Sequence, residues 1–386
     1  MALIGPKIAN ARIRWQDDGS PVSVDYSDIY YSSANGYEES LHVFIEGNQL
    51  TERFQSLPSN GHFTIAETGF GSGLNFLTAW ETWDRYAPDG ASLHYLSVEN
   101  SPLSKADLSH CHRQWTHLAD KASALQSEYP QPVFGVHRCT LSTRSENQRS
   151  QANRANSRPV KLTLFYGEAL QWFRCVDFLA NAWFLDGFSP PKNPTIWSHQ
   201  IIQKISQHSL PGTTLTTYTV AGHIRRSLSE LGFSVNKQPG FGPKRSMTKG
   251  VCVQPDIQKL APSKPASGPV KVLIVGSGLA GAIAARELAS RGSQVEVFEA
   301  SPRIAAGASG NWQGALYVKL AVDLNPHTRY HLASYLFAVK AYSKWLAPEP
   351  GAWNITGVLQ LAHNEKEQRR QTKFLCQTDY PESIVY

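Results

Sequence analysis

The sequence predicts an α/β protein with two Rossmann-like units, each built on a mostly parallel sheet covered by helices. Apolar, strand-like runs alternate with longer helical patterns in the first part of the chain, as expected for parallel strands joined by helical crossovers. Two of the strands in the chain lead through a glycine-rich turn directly into a helix, a connection typical of doubly wound sheets. A proline-rich stretch lies between the two turns and predicts a domain boundary.

The strand-like runs in the first part are short, apolar and bounded by turn residues, which favours buried strands. They lie at 62–66, 93–98, 161–166, 182–185 and 213–218. Helical spacing of apolar residues occurs between them, for example at 74–86 and 221–231. Ligands on such sheets bind at the carboxyl ends of the strands, so we expect functional residues in the loops after these strands.

The boundary is placed at 254–269, where prolines, small residues and two lysines interrupt any apolar periodicity. We therefore predict a first domain at 1–253, a linker at 254–269 and a second domain at 270–386. A polar stretch at 142–158 has no aliphatic residue beyond alanine. We expect a long surface loop there.

Composition excludes several classes of protein. The 386 residues are 41% hydrophobic and include 10 Trp, 15 Tyr and 16 Phe, enough to build packed cores. The most apolar run, 272–285, falls short of the ~20 residues that a membrane-spanning helix needs. With no signal-peptide pattern at the amino terminus, we expect a cytoplasmic location. Five cysteines without a C-x-x-C pair argue against a disulfide framework and a zinc ribbon.

The first glycine-rich turn comes after the strand at 62–66 and carries glycines at alternate positions. Its candidate cofactor residues are Glu67, Gly69, Gly71 and Gly73. The glycines allow a tight turn and close approach of a ligand to the amino end of the next helix. A carboxylate at Glu67 would repel a pyrophosphate and suits a ligand with an amino group, such as S-adenosyl-L-methionine. The alternative is a tight strand-to-helix connection without a ligand.

Two further acids come after the next strands. Glu99 ends the second strand and is placed to accept hydrogen bonds from ribose hydroxyls, and Glu168, after the third, could reach an adenine amino group. The order of acid with glycines, acid and acid on three successive strand ends resembles class I S-adenosylmethionine-dependent methyltransferases.

The fourth strand ends on Asp186, which is followed by glycine and a loop with three prolines. Such a loop is rigid and lies at the predicted catalytic edge. An amine that accepts a methyl group must lose a proton, and a carboxylate there can position the amine and take that proton. We predict this catalytic role for Asp186; the alternative is a turn aspartate before glycine.

The second glycine-rich turn has the full context of a dinucleotide fingerprint. Strand 270–275 is followed by Gly276, Gly278 and Gly281, a helix at 282–291 and a strand at 294–298. The glycines would seat a pyrophosphate on the helix amino terminus. A strand-terminal acid, Glu299, would bind the adenosine ribose.

The residues after this fingerprint indicate which dinucleotide it binds. Arg303 and a glycine- and serine-containing segment at 306–311, with Ser309, favour FAD over NAD. The segment resembles the FAD-dependent amino-acid-oxidase superfamily, which oxidises carbon–nitrogen bonds. NAD, or no dinucleotide at all, are the alternatives.

Several segments together resemble the family of bacterial bifunctional tRNA 5-methylaminomethyl-2-thiouridine biosynthesis proteins, the MnmC family. They are 11–15, 28–32, 36–39, ETGFGSGLNF, WFLDGFSPPKNPTIW, 240–245 and GASGNWQGALY. The resemblance implies two reactions on the wobble uridine of tRNA. FAD-dependent trimming of 5-carboxymethylaminomethyl-2-thiouridine gives the 5-aminomethyl form, and S-adenosylmethionine-dependent methylation comes second. Only 117 residues lie beyond position 269, so we expect the oxidase half to be incomplete and the methyltransferase half complete.

A basic set could contact tRNA phosphates, and a formal charge of +6 suits such an anionic partner. The set comprises Arg225, Arg226, Lys237, Lys244, Arg245 and Lys249. Among them Lys244 and Arg245 lie in a glycine-framed loop near the predicted catalytic edge, and they are the predicted tRNA-binding residues. The alternative for the whole set is a solvated face.

Two other functions stay open from the residues alone. One is a small-molecule amine methyltransferase fused to an unrelated amine oxidase, and the other is an RNA-binding module without activity. No metal site is expected, because His110 and His112 point to different faces of a helix and no carboxylate completes a set.

Overall fold

A computed structural model describes residues 7–32, 35–143, 160–242, 244–254, 270–346, 349 and 351–385. The chain divides into two compact units, Met1–Lys259 with Leu320–Tyr386, and Leu260–Lys319. Most of the loop predicted at 142–158, and all but the first residue of the linker predicted at 254–269, lie outside the described residues. The predicted domain bounds therefore stay a prediction.

The first unit begins with a small antiparallel sheet followed by short helices. Its strands are β1 (Ile13–Trp15), β2 (Pro21–Ser23) and β3 (Asp28–Ile29). Helix α1 (Gly36–Ser40), a π-helical turn (Leu41–Glu46) and helix α2 (Leu50–Gln55) come next.

A central sheet of eight strands forms the body of this unit. The strands are β4 (His62–Glu67), β5 (Ser92–Glu99), β6 (Gly135–Leu141), β7 (Val160–Tyr166), β8 (Ala180–Phe184), β9 (Ser209–Thr217), β10 (Phe233–Pro239) and β11 (Ser246–Cys252). Their order is β10-β11-β9-β8-β4-β5-β7-β6. The five central strands from β9 to β7 pair in parallel, and β6, β10 and β11 pair antiparallel. The predicted mostly parallel sheet is confirmed.

Helices cover both faces of this sheet, as buried parallel strands require. They are α3 (Leu74–Tyr86), α4 (Lys105–His112), α5 (Ala119–Glu128), α6 (Ala169–Cys175), α7 (His199–Gln207) and α8 (Gly222–Glu230). One core packs around Trp80 and Trp83 of α3, and a second packs around Trp172 and Trp183. Because all four indoles are almost fully buried, the two apolar layers fix the strand ends between them.

In the second unit, β12 (Lys271–Val275) pairs in parallel with β13 (Gln294–Phe298), and α9 (Leu279–Ser290) connects them. The predicted strand–helix–strand order is confirmed. Helix α9 has no buried residue, and Val275 keeps 90% of its surface exposed. This pair of strands is therefore far more exposed to solvent than the central sheet.

The chain returns to the first unit with α10 (Pro326–Trp345) and α11 (Glu365–Gln377). Helix α10 lies against the edge strand β6, where the Lys340 ammonium donates to the carbonyl oxygen of Glu128. Lys344 forms an ion pair with the Glu128 carboxylate at 3.6 Å. All five cysteines are free thiols. Over the described residues, no helix is long and apolar enough to cross a membrane.

Candidate active site

The first glycine-rich turn joins the ends of two neighbouring strands, β4 and β8. The Thr68 N–H donates to the carbonyl oxygen of Phe184 at 3.2 Å, and the Thr68 hydroxyl donates to that of Asp186 at 2.7 Å. A Cβ at Gly69 would lie 3.2 Å from the same Asp186 oxygen. The absence of a side chain at Gly69 therefore lets the turn lie against the loop that carries Asp186.

Two of the other glycines in this turn adopt left-handed backbone conformations. Gly71 has φ +52°, and Gly73, which precedes α3, has φ +73°. A Cβ at Gly73 would lie 2.8 Å from the ring of Phe70. The geometry of the turn therefore depends on glycine at Gly73 for both backbone and packing reasons.

Glu67 ends β4 as a completely buried carboxyl. It accepts hydrogen bonds from Asn75 Nδ2 at 2.9 Å and from the Ser97 hydroxyl at 2.8 Å. Burial, together with the nearby Asp186 carboxylate, raises the pKa of Glu67 to about 8. Near neutral pH the group therefore keeps its proton unless a cation approaches it.

Asp186 lies beside Glu67, because β8 is the neighbour of β4. Its Oδ2 accepts from Asn75 Nδ2 at 2.7 Å, and its Oδ1 accepts from the Gly187 N–H at 2.8 Å. Burial raises the pKa of Asp186 to about 6, against the lowering effect of these hydrogen bonds. A carboxylate with this pKa is largely ionised at neutral pH and can still accept a proton.

Glu99 ends β5 and joins two loops. It accepts from the Gly71 N–H and from the Ser101 N–H, each at 2.9 Å. Burial raises its pKa above the ordinary value in spite of these bonds. The carboxylate therefore lies directly against the glycine-rich turn, and its predicted role toward ribose hydroxyls stays a prediction.

Glu168 is placed differently from the other two acids. It is exposed and forms the N-cap of α6, where its N–H donates to the side-chain oxygen of Gln171 at 3.3 Å. The preceding Gly167 N–H donates to the Glu99 carbonyl oxygen at 3.0 Å, so Glu168 lies at the same sheet edge. Asn75 thus links Glu67 and Asp186 by hydrogen bonds, whereas Glu168 lies separately at the start of α6.

The amino-terminal sheet covers this edge, which the sequence did not predict. The Asp28 carboxylate accepts from the Ser189 N–H at 2.9 Å and from Lys192 Nζ at 3.0 Å. The ring of Tyr30 packs edge-on against Phe188, and a Cβ at Gly71 would lie 3.2 Å from it. Residues before the first glycine-rich turn therefore form a wall of the site.

The predicted tRNA-binding residues lie on one loop, and both are exposed. Lys244 Nζ lies 2.5 Å from the Glu39 carboxylate and 4.6 Å from the centre of the Tyr218 ring. Its charge lowers the pKa of Asp186, so Lys244 is close enough to act on the candidate base. Arg245 is the next residue in the chain.

Asn75 is the residue that sequence reasoning missed at the centre of the site. It comes two residues after the last glycine of the turn, and its amide touches both buried carboxyls. Its polar side chain among the apolar residues of the first turn of α3 was the available signal. Tyr30 and Tyr218 also lie at this sheet edge. They gave no comparable signal, because they are distant in sequence from the glycine-rich turn.

In the second unit, the turn after β12 has the geometry of a dinucleotide fingerprint. Gly276 has φ +98°, and its N–H donates to the Phe298 carbonyl oxygen at 2.7 Å. A Cβ at Gly281 would lie only 1.9 Å from the Gly276 carbonyl oxygen, so only glycine allows α9 to start so close to β12. At the helix start, the Ser309 hydroxyl accepts from the Leu279 N–H at 3.1 Å, and a Cβ at Gly278 would lie 2.9 Å from that hydroxyl.

Glu299 comes directly after β13 and is hydrogen-bonded without being buried. It accepts from the Ser277 N–H at 2.9 Å, from the Ser277 hydroxyl at 2.7 Å and from the Ser301 N–H at 3.0 Å. These hydrogen bonds lower the pKa of Glu299 to about 2. The acid is therefore ionised and lies at the turn, where the sequence placed it.

The histidines near the first turn have structural partners. His110 stacks on Trp15 at 4.0 Å between ring centres, and His112 Nε2 lies 2.9 Å from the Ser72 carbonyl oxygen. Within the part of the chain that the structure describes, no group of three or more His, Cys, Asp or Glu side chains could hold a metal ion.

Two family models match the chain. An S-adenosyl-L-methionine-dependent methyltransferase model matches residues 121–252, a range that includes Asp186. An FAD dependent oxidoreductase model matches residues 271–382, which contain the second glycine-rich turn. The central sheet is thus a class I methyltransferase Rossmann-like sheet, and the unit around β12 belongs to an FAD-binding Rossmann fold.

Curated relatives match along almost the whole chain. The tRNA 5-methylaminomethyl-2-thiouridine biosynthesis bifunctional protein MnmC of Hahella chejuensis is 46% identical over 382 residues, 99% of this chain and 58% of that protein. The protein of the same name from Chromobacterium violaceum is 42% identical over 98% of this chain and 55% of that protein. Among solved structures, MNMC2 from Aquifex aeolicus aligns with a TM-score of 0.47 and 20% identity, over 66% of this chain and 74% of that one.

The chain therefore spans a little more than half the length of the curated relatives that it matches. The presence of two family models agrees with the bifunctional name that these relatives carry. By sequence identity and by its two matched domains, this chain is similar over almost its whole length to the tRNA 5-methylaminomethyl-2-thiouridine biosynthesis bifunctional proteins.

Proposed function

We propose that the first unit transfers a methyl group from S-adenosyl-L-methionine to an aminomethyl group on the wobble uridine of tRNA. The observation that carries this proposal is the placement of the Asp186 carboxylate. It lies against the glycine-rich turn and is held there by Asn75 and the Gly187 N–H. The product would be 5-methylaminomethyl-2-thiouridine, as the names of the relatives indicate.

The chemistry needs a proton acceptor at this place. A primary amine attacks the methyl carbon with its lone pair, so its ammonium form must first give up a proton. Asp186 takes that proton, the new N–C bond forms, and the C–S bond breaks with its electron pair remaining on sulfur. The product is a secondary ammonium, and Asp186 releases its proton to solvent before the next cycle. With a pKa of about 6, Asp186 is mostly ionised at neutral pH and available for the first step.

The residues of the turn fit the methyl donor. Glu67 and Glu99 place two carboxyls around the loop, which suits a sulfonium ligand with an amino group and a ribose. Gly69 leaves free the space that a Cβ would fill beside the Asp186 loop. We propose that Glu67, Gly69, Gly71, Gly73 and Glu99 hold the donor, and that Glu168 contributes at the adenine end.

The second unit fits the adenosine diphosphate part of FAD. Gly276, Gly278 and Gly281 form a close strand-to-helix turn that side chains would block, and the ionised Glu299 suits ribose hydroxyls. Ser309 lies beside the same helix start. Bound FAD supplies the two-electron oxidation of a carbon–nitrogen bond, which in this family would convert 5-carboxymethylaminomethyl-2-thiouridine to 5-aminomethyl-2-thiouridine.

The macromolecular partner proposed is tRNA, and we propose a cytoplasmic location, where tRNA substrates are present. Lys244 and Arg245 lie on an exposed loop at the edge that carries Asp186. Phosphate contacts there would position the anticodon loop for the reaction without reading its sequence.

The proposal is tested with the full chain, methyl-labelled S-adenosyl-L-methionine and tRNA that carries the 5-aminomethyl group. We expect label on that tRNA and none on tRNA with an unmodified wobble uridine. Label on a small amine with none on tRNA would support a small-molecule amine methyltransferase instead. Binding of tRNA without any transfer of label would support an RNA-binding module that has lost activity.

A further inference from the structure

The side chain of Asn75 occupies an unusual position between two acids. One nitrogen, Nδ2, donates to Glu67 Oε1 at 2.9 Å and to Asp186 Oδ2 at 2.7 Å. The Oδ1 atom accepts from the buried hydroxyl of Ser40 at 2.7 Å. Because an amide nitrogen carries two hydrogens, these contacts use both of its donors.

The orientation of this amide is set by its partners. A flipped amide would point its oxygen at two carboxyl groups and its nitrogen at Ser40, and would lose both contacts to the acids. When Glu67 is protonated, the hydroxyl of Ser97 can turn to accept that proton, so Asn75 can keep donating. The amide therefore has one arrangement that satisfies all of its neighbours.

Asn75 is also rigidly held, because it lies on a buried helix. It is the second residue of α3 and keeps only 8% of its surface exposed. Asp186, by contrast, starts a loop in which Gly187 has φ +142°. The buried helix thus supplies a second fixed donor to a carboxylate that the Gly187 N–H also holds.

We propose that Asn75 is a positioning residue: its amide aims the Asp186 carboxylate at the methyl acceptor and couples it to the buried Glu67 through one shared nitrogen. The inference rests on the proposed function, in which Asp186 accepts the proton of the amine. A donor to the carboxylate favours its ionised form, so Asn75 also lowers the pKa of Asp186.

Other charged and titratable groups face Asp186 and act on the same proton. Glu39 of α1 raises its pKa and Lys244 lowers it, while the buried Glu67 of β4 shares the Asn75 donor with it. Burial raises the pKa of Tyr95 on β5 and of Tyr218 after β9, and the Asp186 charge adds to both shifts. A variant at Asn75 leaves these side chains in place but also removes the donor to Glu67, so Glu67→Gln is measured with and without the Asn75 change to separate the two effects.

The test compares Asn75→Ala and Asn75→Ser with Thr78→Val in the full chain. Thr78 is buried on the same helix, and its hydroxyl donates to the Leu74 carbonyl oxygen within that helix. In Asn75→Ala we expect the acid limb of the kcat/KM pH profile to move upward by about one pH unit, because a hydrogen bond to a charged group is lost. Asn75→Ser keeps one donor and should move it less, and Thr78→Val should not move it.

A carboxyl titration of Asp186 by ¹³C NMR, assigned with Asp186→Asn, separates the two proposals. An upward move of the Asp186 pKa in the Asn75 variants supports the inference even in a chain that transfers no label. An active chain whose acid limb and Asp186 titration are the same in wild type and Asn75→Ser overturns it. If thermal melting shows that Asn75→Ala is not folded, the pH profile and the Asp186 titration of Asn75→Ser alone decide the test.

Discussion

The two glycine-rich turns carry the same hydrogen-bonded acid in opposite surroundings. Glu99 accepts from an N–H of the first turn, at Gly71, and from the N–H two residues further on, at Ser101. Glu299 does the same with Ser277 of the second turn and Ser301. All four N···O distances lie between 2.9 and 3.0 Å. The local arrangement of turn and acid is thus repeated in the two units.

The pKa values of these two acids nevertheless move in opposite directions. Burial in the edge of the eight-stranded sheet raises the pKa of Glu99, whereas hydrogen bonds to an exposed carboxylate lower that of Glu299 to about 2. The comparison indicates that backbone donors alone do not set the proton affinity of an acid at such a glycine-rich turn. How deeply the surrounding sheet buries the acid decides whether its pKa is raised or lowered.

The first turn also lies against a pair of acids, Glu67 and Asp186. Asp186 meets Glu67 across the Asn75 amide, and burial raises the pKa of both. Across the described residues of the second unit, no acid is hydrogen-bonded to Glu299 or to its turn. The buried turn is therefore suited to moving a proton, and the exposed turn to binding alone.

The largest effect is expected for Asp186→Asn, which removes the proton acceptor and keeps the shape of the side chain. Loss of a general base typically costs about 10²- to 10⁴-fold in rate, so label transfer to aminomethyl tRNA should fall by that factor. Binding of S-adenosyl-L-methionine, measured by calorimetry, should stay within a few-fold of wild type. Wild-type turnover in this variant would remove Asp186 from the mechanism.

The matched control makes the same chemical change at Asp120, which is exposed in the first turn of α5. Asp120→Asn should transfer label at the wild-type rate. The wild-type profile should also lose activity as the pH falls through about 6, because Asp186 is then protonated. An acid limb that is equally steep in Asp186→Asn would assign the limb to another group.

A second prediction concerns stability and the buried position of Glu67. Its pKa is raised to about 8 in the folded chain, so the folded state binds a proton that the unfolded state releases. The resulting stabilisation is complete below the ordinary pKa of Glu and is lost as the pH rises through about 8. Glu67→Gln should remove this dependence, with a difference on the order of a few kcal/mol between its pH profile and that of wild type.

Urea unfolding of both chains at pH 5, 7 and 9 measures this difference. Wild type should become less stable across the series relative to Glu67→Gln, because only wild type must ionise a buried carboxyl. Parallel profiles would show that Glu67 titrates normally and that burial does not control the first turn.

The third prediction addresses the second turn, where packing rather than charge limits the site. Gly281→Ala would place a Cβ 1.9 Å from the Gly276 carbonyl oxygen, so the strand-to-helix turn must widen. Gly314→Ala meets nothing within 4 Å and serves as the control. We expect FAD added to the purified chain to bind at least about tenfold more weakly to Gly281→Ala, since an energy of about 1.4 kcal/mol suffices for that change.

Flavin fluorescence quenching measures the two affinities against wild type. Equal binding by Gly281→Ala and Gly314→Ala would contradict the placement of the dinucleotide at this turn. No binding by the unchanged chain would contradict the proposed cofactor for the second unit.

The sequence located the strand ends well, because apolar runs followed by glycine and an acid determine local structure. The helix predicted at 74–86 and the strand at 294–298 have the same bounds in the structure. Strand order was not available from these patterns. Asn75 and Asp186 are 111 positions apart and meet only because β8 inserts beside β4.

The wall of the site that the amino-terminal residues form could not be predicted for a related reason. Asp28 and Tyr30 lie in a region with two- and three-residue strands, too short for any periodicity to be visible. Their contacts with Ser189 and Phe188 depend on long-range packing. The fold and the acids at the strand ends could thus be predicted, while the residues that hold those acids in place could not.

The smallest effect, and the most direct test of the comparison, is the titration of the two repeated acids. Glu99 should titrate above the ordinary range of Glu and Glu299 at about 2, measured by ¹³C NMR with Glu99→Gln and Glu299→Gln for assignment. The two acids also affect the pH dependence of folding stability with opposite signs. The raised pKa of Glu99 gives stability that is lost as the pH rises through it, and the lowered pKa of Glu299 gives stability that is lost as the pH falls through about 2. If the pKa values of both acids lie below the ordinary value of Glu, the backbone donors outweigh burial. The depth of the sheet then does not distinguish the two turns.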